Sequence, residues 1–377
     1  MIPFIVTRRK IEKNVYSLGV IRSFIQRIRI GKGFYSMLIF IPISMFFAVF
    51  TTNKTATFIT AVLAIIPLAR IMGYATKEIS LQTNPTVSGL FSATFGNAIE
   101  LIIAIFALKN NLIDLVKASL IGSIVGNILF LVGLSIFFGG IRYKNQRFNN
   151  QAIAVSSTML IIVVAGLAIP SIFSFTHGTA HLQLLSTAVA IVMALIYLAG
   201  LVFSLLTHKD LFDASDEMKA TQEKPTISRR QAAFILLLTI IAVSVESEFL
   251  VQGITTAAET LGITQIFIGI VVIAIITNIA EISTSIHFAL ENKLDVSIEI
   301  GLSSAIQIAL FVVPIIMLIS LVFNFGFSLV FPLFEILAVI IAVLIVNYIS
   351  ADGRCNWLEG AQLISVYSII AIAFFFV

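Results

Sequence analysis

Charge is scarce in this chain. Only 11% of its 377 residues are Asp, Glu, Lys or Arg, against about 25% in an ordinary soluble domain. Mean hydropathy is +1.08 and 59% of residues are hydrophobic, so the chain reads as an integral membrane protein. Cysteine is nearly absent. The single Cys355 excludes a disulfide framework within one chain and any cysteine-rich metal site. Four histidines are too scattered for a zinc motif. The sequence has no nucleotide loop, nucleophile triad or zinc signature, which argues against an enzyme and against a bound cofactor. A net charge of +4 gives no reason to expect nucleic acid as a partner. No cleavable signal peptide is expected either. Residues 1–33 carry Arg8, Arg9, Lys10, Lys13, Arg22, Arg27, Arg29 and Lys32 without a long apolar core. They read as a basic cytoplasmic arm, either lying on anionic lipid or acting as a topology determinant.

Long apolar runs are what the chain has instead. They fall near 34–50, 55–76, 86–108, 115–139, 151–174, 182–206, 231–255, 264–290, 298–324, 327–349 and 357–377. That predicts an all-α, multi-pass protein of about 11 transmembrane helices, each near the ~20 residues needed to cross. The first is short and could be re-entrant. Basic residues gather in alternate connections: Arg142, Lys144 and Arg147; Lys209, Lys219, Lys224, Arg229 and Arg230; Lys293; Arg354. The loops around 175–181, 252–263 and 323–328 carry no Lys or Arg. The positive-inside rule then puts the N-terminus in the cytoplasm and the C-terminus outside.

The connection at 207–230 is the longest and carries Asp210, Asp213, Asp216, Glu217 and Glu223. It reads as an acidic cytoplasmic linker. It lacks the ligand spacing of an EF-hand, so a regulatory Ca²⁺ site there is the weaker reading. Five spans precede it after an extra helix at 34–50, and five follow. Odd-numbered halves must run in opposite orientation, so 51–206 and 231–377 are expected to be two inverted five-helix repeats.

Two glutamates support the repeat. Glu100 stands in GNAIE and Glu281 in TNIAE. Ser123 follows the first by 23 residues and Ser304 follows the second by the same interval, in GSIVGN and SSAIQI. An ionisable group at membrane depth costs roughly 2.5–3.5 kcal/mol on insertion scales, so it usually marks an ion or proton path. Asn97 and Asn278 sit three residues before the glutamates, on the same helix side. Gly96 would allow a helix break that frees carbonyl oxygens. Two carboxylates, two amides and free carbonyls are hard ligands suited to Ca²⁺, which takes six to eight oxygens at about 2.3–2.6 Å. One divalent cation neutralises both carboxylates, and so do two protons. The two loads compete, which is the physical basis of an H⁺/divalent antiporter. Glu78 and Glu248, one per half, are candidates for a proton relay, for orienting the site amides, or for a wet vestibule; Glu246 competes with Glu248. Ser123, Ser304, Gln307 and Asn127 are expected around the site as supporting hydrogen-bond partners, and each also serves plain helix packing.

The segments PLARIMGYATKEIS (67–80), FSATFGNAIELIIAIFAL (91–108), VKASLIGSIVGNILFLVG (116–133), THKDLF (207–212), SEFLVQGI (247–254), KLDVSIEIGLSSAIQIALFVVP (293–314) and DGRCNWLEG (352–360) resemble the Ca²⁺/H⁺ exchanger (CAX) family of the cation/Ca²⁺ antiporter superfamily. The resemblance implies one extra helix followed by two five-helix inverted repeats. It implies Ca²⁺ or proton binding by Glu100 and Glu281, with Glu78 and Glu248 supporting the path. It also implies two gating helices, spans 2 and 7, that slide past a fixed core. Its substrates would be Ca²⁺ and protons, with the lipid bilayer as surroundings and no cofactor beyond the transported ions. A homo-oligomer is left open. The compact chain fits a prokaryotic cell membrane. Three residues depart from the family pattern. Thr277 replaces the glycine of the second motif, removing the residue expected to permit a break there. Ile282 replaces a histidine, and Lys117 stands where glutamine is common. The alternatives are a Na⁺/Ca²⁺ exchanger, an exchanger of another divalent cation such as Mn²⁺ for protons, and, less favoured, a cation channel. Sodium-coupled relatives usually carry Pro just before the acidic residue. Here Ile99 and Ala280 stand there, which favours protons.

Overall fold

The computed structural model describes residues 36–178, 181–208 and 225–376. The basic arm and most of the acidic linker lie outside the described residues. Helices follow the apolar runs: α1 (Phe40–Phe50), α2 (Lys54–Ser80), α3 (Pro85–Gly96), α4 (Ala98–Lys109), α5 (Ile113–Tyr143), α6 (Asn150–His177), α7 (Leu182–Thr207), α8 (Arg229–Leu261), α9 (Gln265–Thr277), α10 (Ile279–Leu290), α11 (Leu294–Phe323), α12 (Leu333–Ile349) and α13 (Trp357–Phe375). Among the described residues seven are long and apolar enough to cross a membrane alone, and α3–α4 and α9–α10 pass the same test as bent pairs. The shorter apolar helices α1 and α12 bring the apolar segments to the eleven expected.

Polar residues set the helix starts. Asn53 and Asn84 accept from backbone N–H groups three residues on. Ser228 with Gln231, and Asn356 with Glu359, form reciprocal capping boxes that open α8 and α13. One element lay outside the sequence reading. Asn145–Arg147 (β1) pairs antiparallel with Arg354–Asn356 (β2). The strands are three residues each, polar, and far apart in sequence, so neither carries a strand pattern on its own.

The two halves repeat in backbone as well as sequence. Matching features lie 181 residues apart: the helix breaks at 97 and 278, left-handed turns at Asn111 (φ 57°) and Asn292 (φ 62°), and the serines at 123 and 304. A π-helical stretch interrupts α5 at Gly126–Leu131 and α11 at Ile308–Val312. Such bulges often sit at functional sites because they re-aim side chains.

Lipid gives helices no hydrophobic incentive to associate, so close packing between small residues matters most. α2 and α8 lie antiparallel along most of their length. Gly253 of α8 faces the Lys54 carbonyl and the Phe58 side chain so closely that a Cβ there would clash. At the core, Gly122 of α5 rests on the backbone of Ile270 in α9, which leaves no room for any side chain. Gly301 of α11 meets Val132 and the Asn127 carbonyl of α5 as tightly, so α5 packs closely against both α9 and α11.

Candidate functional site

Both helix breaks fall on asparagine. Asn97 has φ −109°, ψ 25° and Asn278 has φ −96°, ψ 13°. Any L-residue adopts these angles, so neither break needs glycine freedom. Thr277 therefore does not remove the second break: α9 and α10 meet at 57°, against 43° between α3 and α4. The broken spans present Glu100 and Glu281 on the first turns of α4 and α10. The positive end of each half-helix is favourable to a carboxylate there. The carboxyl ends of α3 and α9 approach from the other side.

The asparagines are tied across the repeat. Asn97 Nδ2 donates to Gln307 Oε1 at 2.8 Å, and Ser304 Oγ donates to Asn97 Oδ1 at 3.4 Å. Asn278 Nδ2 donates to the Ala274 carbonyl at 2.9 Å, Thr277 Oγ1 at 3.1 Å and Ser123 Oγ at 3.3 Å. Asn127 Nδ2 bridges Asn278 Oδ1 at 2.9 Å and Ser304 Oγ at 2.8 Å. The four supporting residues expected from sequence thus converge on the two asparagines. Each asparagine Oδ1 already accepts one hydrogen bond, which leaves one lone pair for a cation.

The carboxylates are less satisfied. Glu100 is buried, 7% exposed. Oε2 of Glu100 and Oε2 of Glu281 are both buried without a hydrogen-bond partner. An unpaired buried polar atom is costly, so each one calls for a ligand or a proton. Thr277 Oγ1 donates to the Ala274 carbonyl at 3.3 Å and lines the cavity that reaches Glu281, so the departing residue puts a hydroxyl beside the second break. Glu281 feels the charge of Glu100. Among the described residues no three His, Cys, Asp or Glu side chains converge as a metal centre. A cation here would rely on two carboxylates plus neutral oxygens.

A cavity of about 270 Å³ reaches Glu281. It is lined by Thr76, Lys77, Ser80, Ser92 and Gly96 among others, and so runs from the linker-side end of α2 to the helix break. At the opposite face a separate cavity lies between the start of α2 with the preceding Thr52 and Asn53, and Thr256 and Thr260 of α8; no site glutamate lines it.

The other acidic candidates go elsewhere. Glu78 is not a solvated helix end. It is buried, and accepts from Thr226 N at 2.8 Å, Thr226 Oγ1 at 2.7 Å and Ile227 N at 3.3 Å. It holds the end of the linker just before α8. Glu248 is half-buried and near Gln252 at 3.4 Å. Its neighbour Glu246 is the buried one, 1% exposed, accepting from Ser44 of α1 at 2.7 Å. Two further acids, half-buried Glu299 and buried Glu335, stand outside the sequence expectations. Glu299 of α11 accepts from Ser156 at 3.2 Å, and Glu335 of α12 lies in the field of Lys117 and Asp114 of α5. The signal for each was available, a lone acid inside an apolar run. Neither has an acidic counterpart 181 residues earlier, where Ala118 and Ala154 stand, so neither belongs to a matched pair.

Comparisons with known proteins fit this geometry. Residues 53–206 and 231–376 match the sodium/calcium exchanger protein family. The chain is 41% identical over 363 residues to a Ca²⁺/H⁺ antiporter of Synechocystis, covering 92% of this chain and 98% of that one. It is 40% identical over 337 residues to the Ca²⁺/H⁺ antiporter ChaA of Bacillus subtilis, covering 89% and 96%. Among solved structures, native YfkE superposes with a TM-score of 0.80 at 37% identity, over 91% of this chain and 99% of the other.

Proposed function

The chain belongs to the Ca²⁺/H⁺ exchanger (CAX) family of the cation/Ca²⁺ antiporter superfamily, and from that membership we propose that it exchanges Ca²⁺ for protons by alternating access. Glu100 and Glu281 bind one Ca²⁺ or protons in competition. The observation that carries this reading is the pair of buried, unpartnered Oε2 atoms, one from each half, beside the Asn97 and Asn278 amides. With either load the site is close to neutral and able to reorient. Empty, it holds repelling charges in a low dielectric and resists crossing. Ca²⁺ and protons are cargo, so the protein is a transporter with neither catalysis nor a resident cofactor.

The cavity that reaches Glu281 supports a state facing the linker, and the basic loops support that face being cytoplasmic. On this reading 51–206 and 231–377 are the inverted repeats and 34–50 is the extra helix. α2 and α8 then act as the sliding pair, with α3–α5 and α9–α11 as the core that holds the site.

The test is Ca²⁺ flux into proteoliposomes under an imposed pH gradient, with sodium present or absent. The expected outcome is uptake that follows the pH gradient and is indifferent to sodium. Sodium-driven uptake at equal pH would assign the chain to sodium coupling. Conductive flux that ignores both gradients would make it a channel.

A further inference from the structure

Three polar side chains stand in line on the first part of α11: Glu299, Ser303 and Gln307. Spacing of i, i+4 and i+8 keeps them on one helix face, with a rise of about 6 Å per step. All three line a cavity of about 530 Å³ between α6, α7 and α11. The line begins near the linker-side end of α11. It finishes at Gln307, which accepts from Asn97, three residues before Glu100. Ser156 donates to Glu299 from α6, and Tyr197 and Ser204 add hydroxyls from α7. Tyr197 Oη is buried without a hydrogen-bond partner. Among the described lining residues Tyr197 is the only titratable group besides Glu299.

The first half has no such line. The positions 181 residues earlier are Ala118, Gly122 and Gly126. That face of α5 is sealed by α9: Gly122 touches the Ile270 backbone, and a Cβ on Gly269 would meet Ala118. A conformational exchange between the repeats can open or close a cavity, but it cannot give α5 a carboxylate. The asymmetry is therefore permanent. This cavity is also distinct from the one that reaches Glu281. Leu205 on its wall packs against Gly89 of α3, whereas Phe95 and Gly96 of the same helix line the other. The two cavities flank α3.

We propose that the Glu299–Ser303–Gln307 line is a proton port on the linker face, separate from the cation cavity at Glu281, and that Glu299 is its entry residue. The inference rests on the exchange reading above. Ligand arithmetic decides which ion takes this route. Ca²⁺ needs six to eight oxygens to replace its water shell, and one carboxylate among mostly apolar walls cannot supply them. A proton needs only a titratable entry and a chain of hydroxyls, amides and water. A proton from water binds the Glu299 carboxylate, passes along the chain to Glu100, and leaves Glu299 ionised for the next. The same steps reversed release one.

Two transport modes separate this role from a structural one. Ca²⁺/Ca²⁺ exchange moves no proton; Ca²⁺/H⁺ exchange needs one at each turnover. In Glu299→Gln, Ca²⁺/H⁺ flux should fall about tenfold or more while Ca²⁺/Ca²⁺ exchange stays within about twofold, because the amide keeps the shape but cannot carry the proton. Glu299→Asp should retain most of the coupled flux. Formate, small enough to enter the cavity as a mobile acid, should restore part of it in Glu299→Gln. Ser303→Ala should show the same split more weakly. Equal loss of both modes in Glu299→Gln would reduce the residue to a packing role, and wild-type coupled flux would remove the port; either overturns the proposal. Absence of proton-coupled flux in the wild-type protein would instead defeat the exchange reading itself.

Discussion

Asn97 and Asn278 do two things at once: each ends one half-helix and starts the next, and each is tethered to the opposite repeat. That places Glu100 and Glu281 on helix N-termini, where charge is tolerated, yet leaves one oxygen of each unpartnered. Glu100→Gln and Glu281→Gln should each abolish Ca²⁺ transport while the protein folds and inserts normally. The amide removes one of the two charges that match a divalent cation, and is easier to bury than a carboxylate. Flux and Ca²⁺ binding on purified variants check this; normal uptake in both would remove the pair from the site. The matched phrases GNAIE and TNIAE made this part of the site legible from sequence. The break at Thr277–Asn278 was legible only in part. Glycine seemed necessary, but the angles at Asn278 suit any residue, so the loss of glycine costs nothing. Gln307 and Asn127 were readable as hydrogen-bond formers. Their partners were not, because each bond joins residues more than 150 positions apart.

At the scale of elements, α2 and α8 are held together at both ends. Thr55 meets Thr260 at 3.1 Å on one face. On the other, Glu78 grips the backbone at 226–227. Arg70 Nη1 reaches from α2 to Ser283 Oγ of α10 at 2.9 Å, a contact across the boundary that sliding would have to cross. Spans and the paired serines followed from hydropathy and spacing. The destination of Glu78 did not, since only the fold brings the linker end to the end of α2. Three hydrogen bonds to one carboxylate are worth more than those to an amide, by about 1 kcal/mol or more when the acceptor is charged. Glu78→Gln should therefore loosen the start of α8, slowing turnover several-fold while Ca²⁺ affinity stays within about twofold. Limited proteolysis near residues 225–228 should become faster in step. Loss of binding as severe as in Glu100→Gln would make Glu78 a direct ligand, and unchanged flux and cleavage would leave the grip without consequence.

For the whole molecule, two inverted halves carry one carboxylate each beside a helix break, and if the two form one site, as proposed, charge decides what it can hold. On the proposed reading the two groups share their protons as a coupled pair. Whenever protons occupy them, a Ca²⁺ ion has to displace those protons to bind. Binding therefore releases protons, and by linkage apparent affinity must rise with pH wherever the unloaded site is protonated. It flattens only where the site is already bare. The slope of log affinity against pH counts the protons displaced, and for two carboxylates it should fall from about two towards zero as pH rises. Calorimetry of Ca²⁺ binding in buffers of different ionisation enthalpy counts the same protons independently. Affinity that stays flat between about pH 5 and pH 8 would mean that no proton competes at the site over that range. Glu100 and Glu281 would then be plain Ca²⁺ ligands, and proton coupling would have to arise at a group away from them.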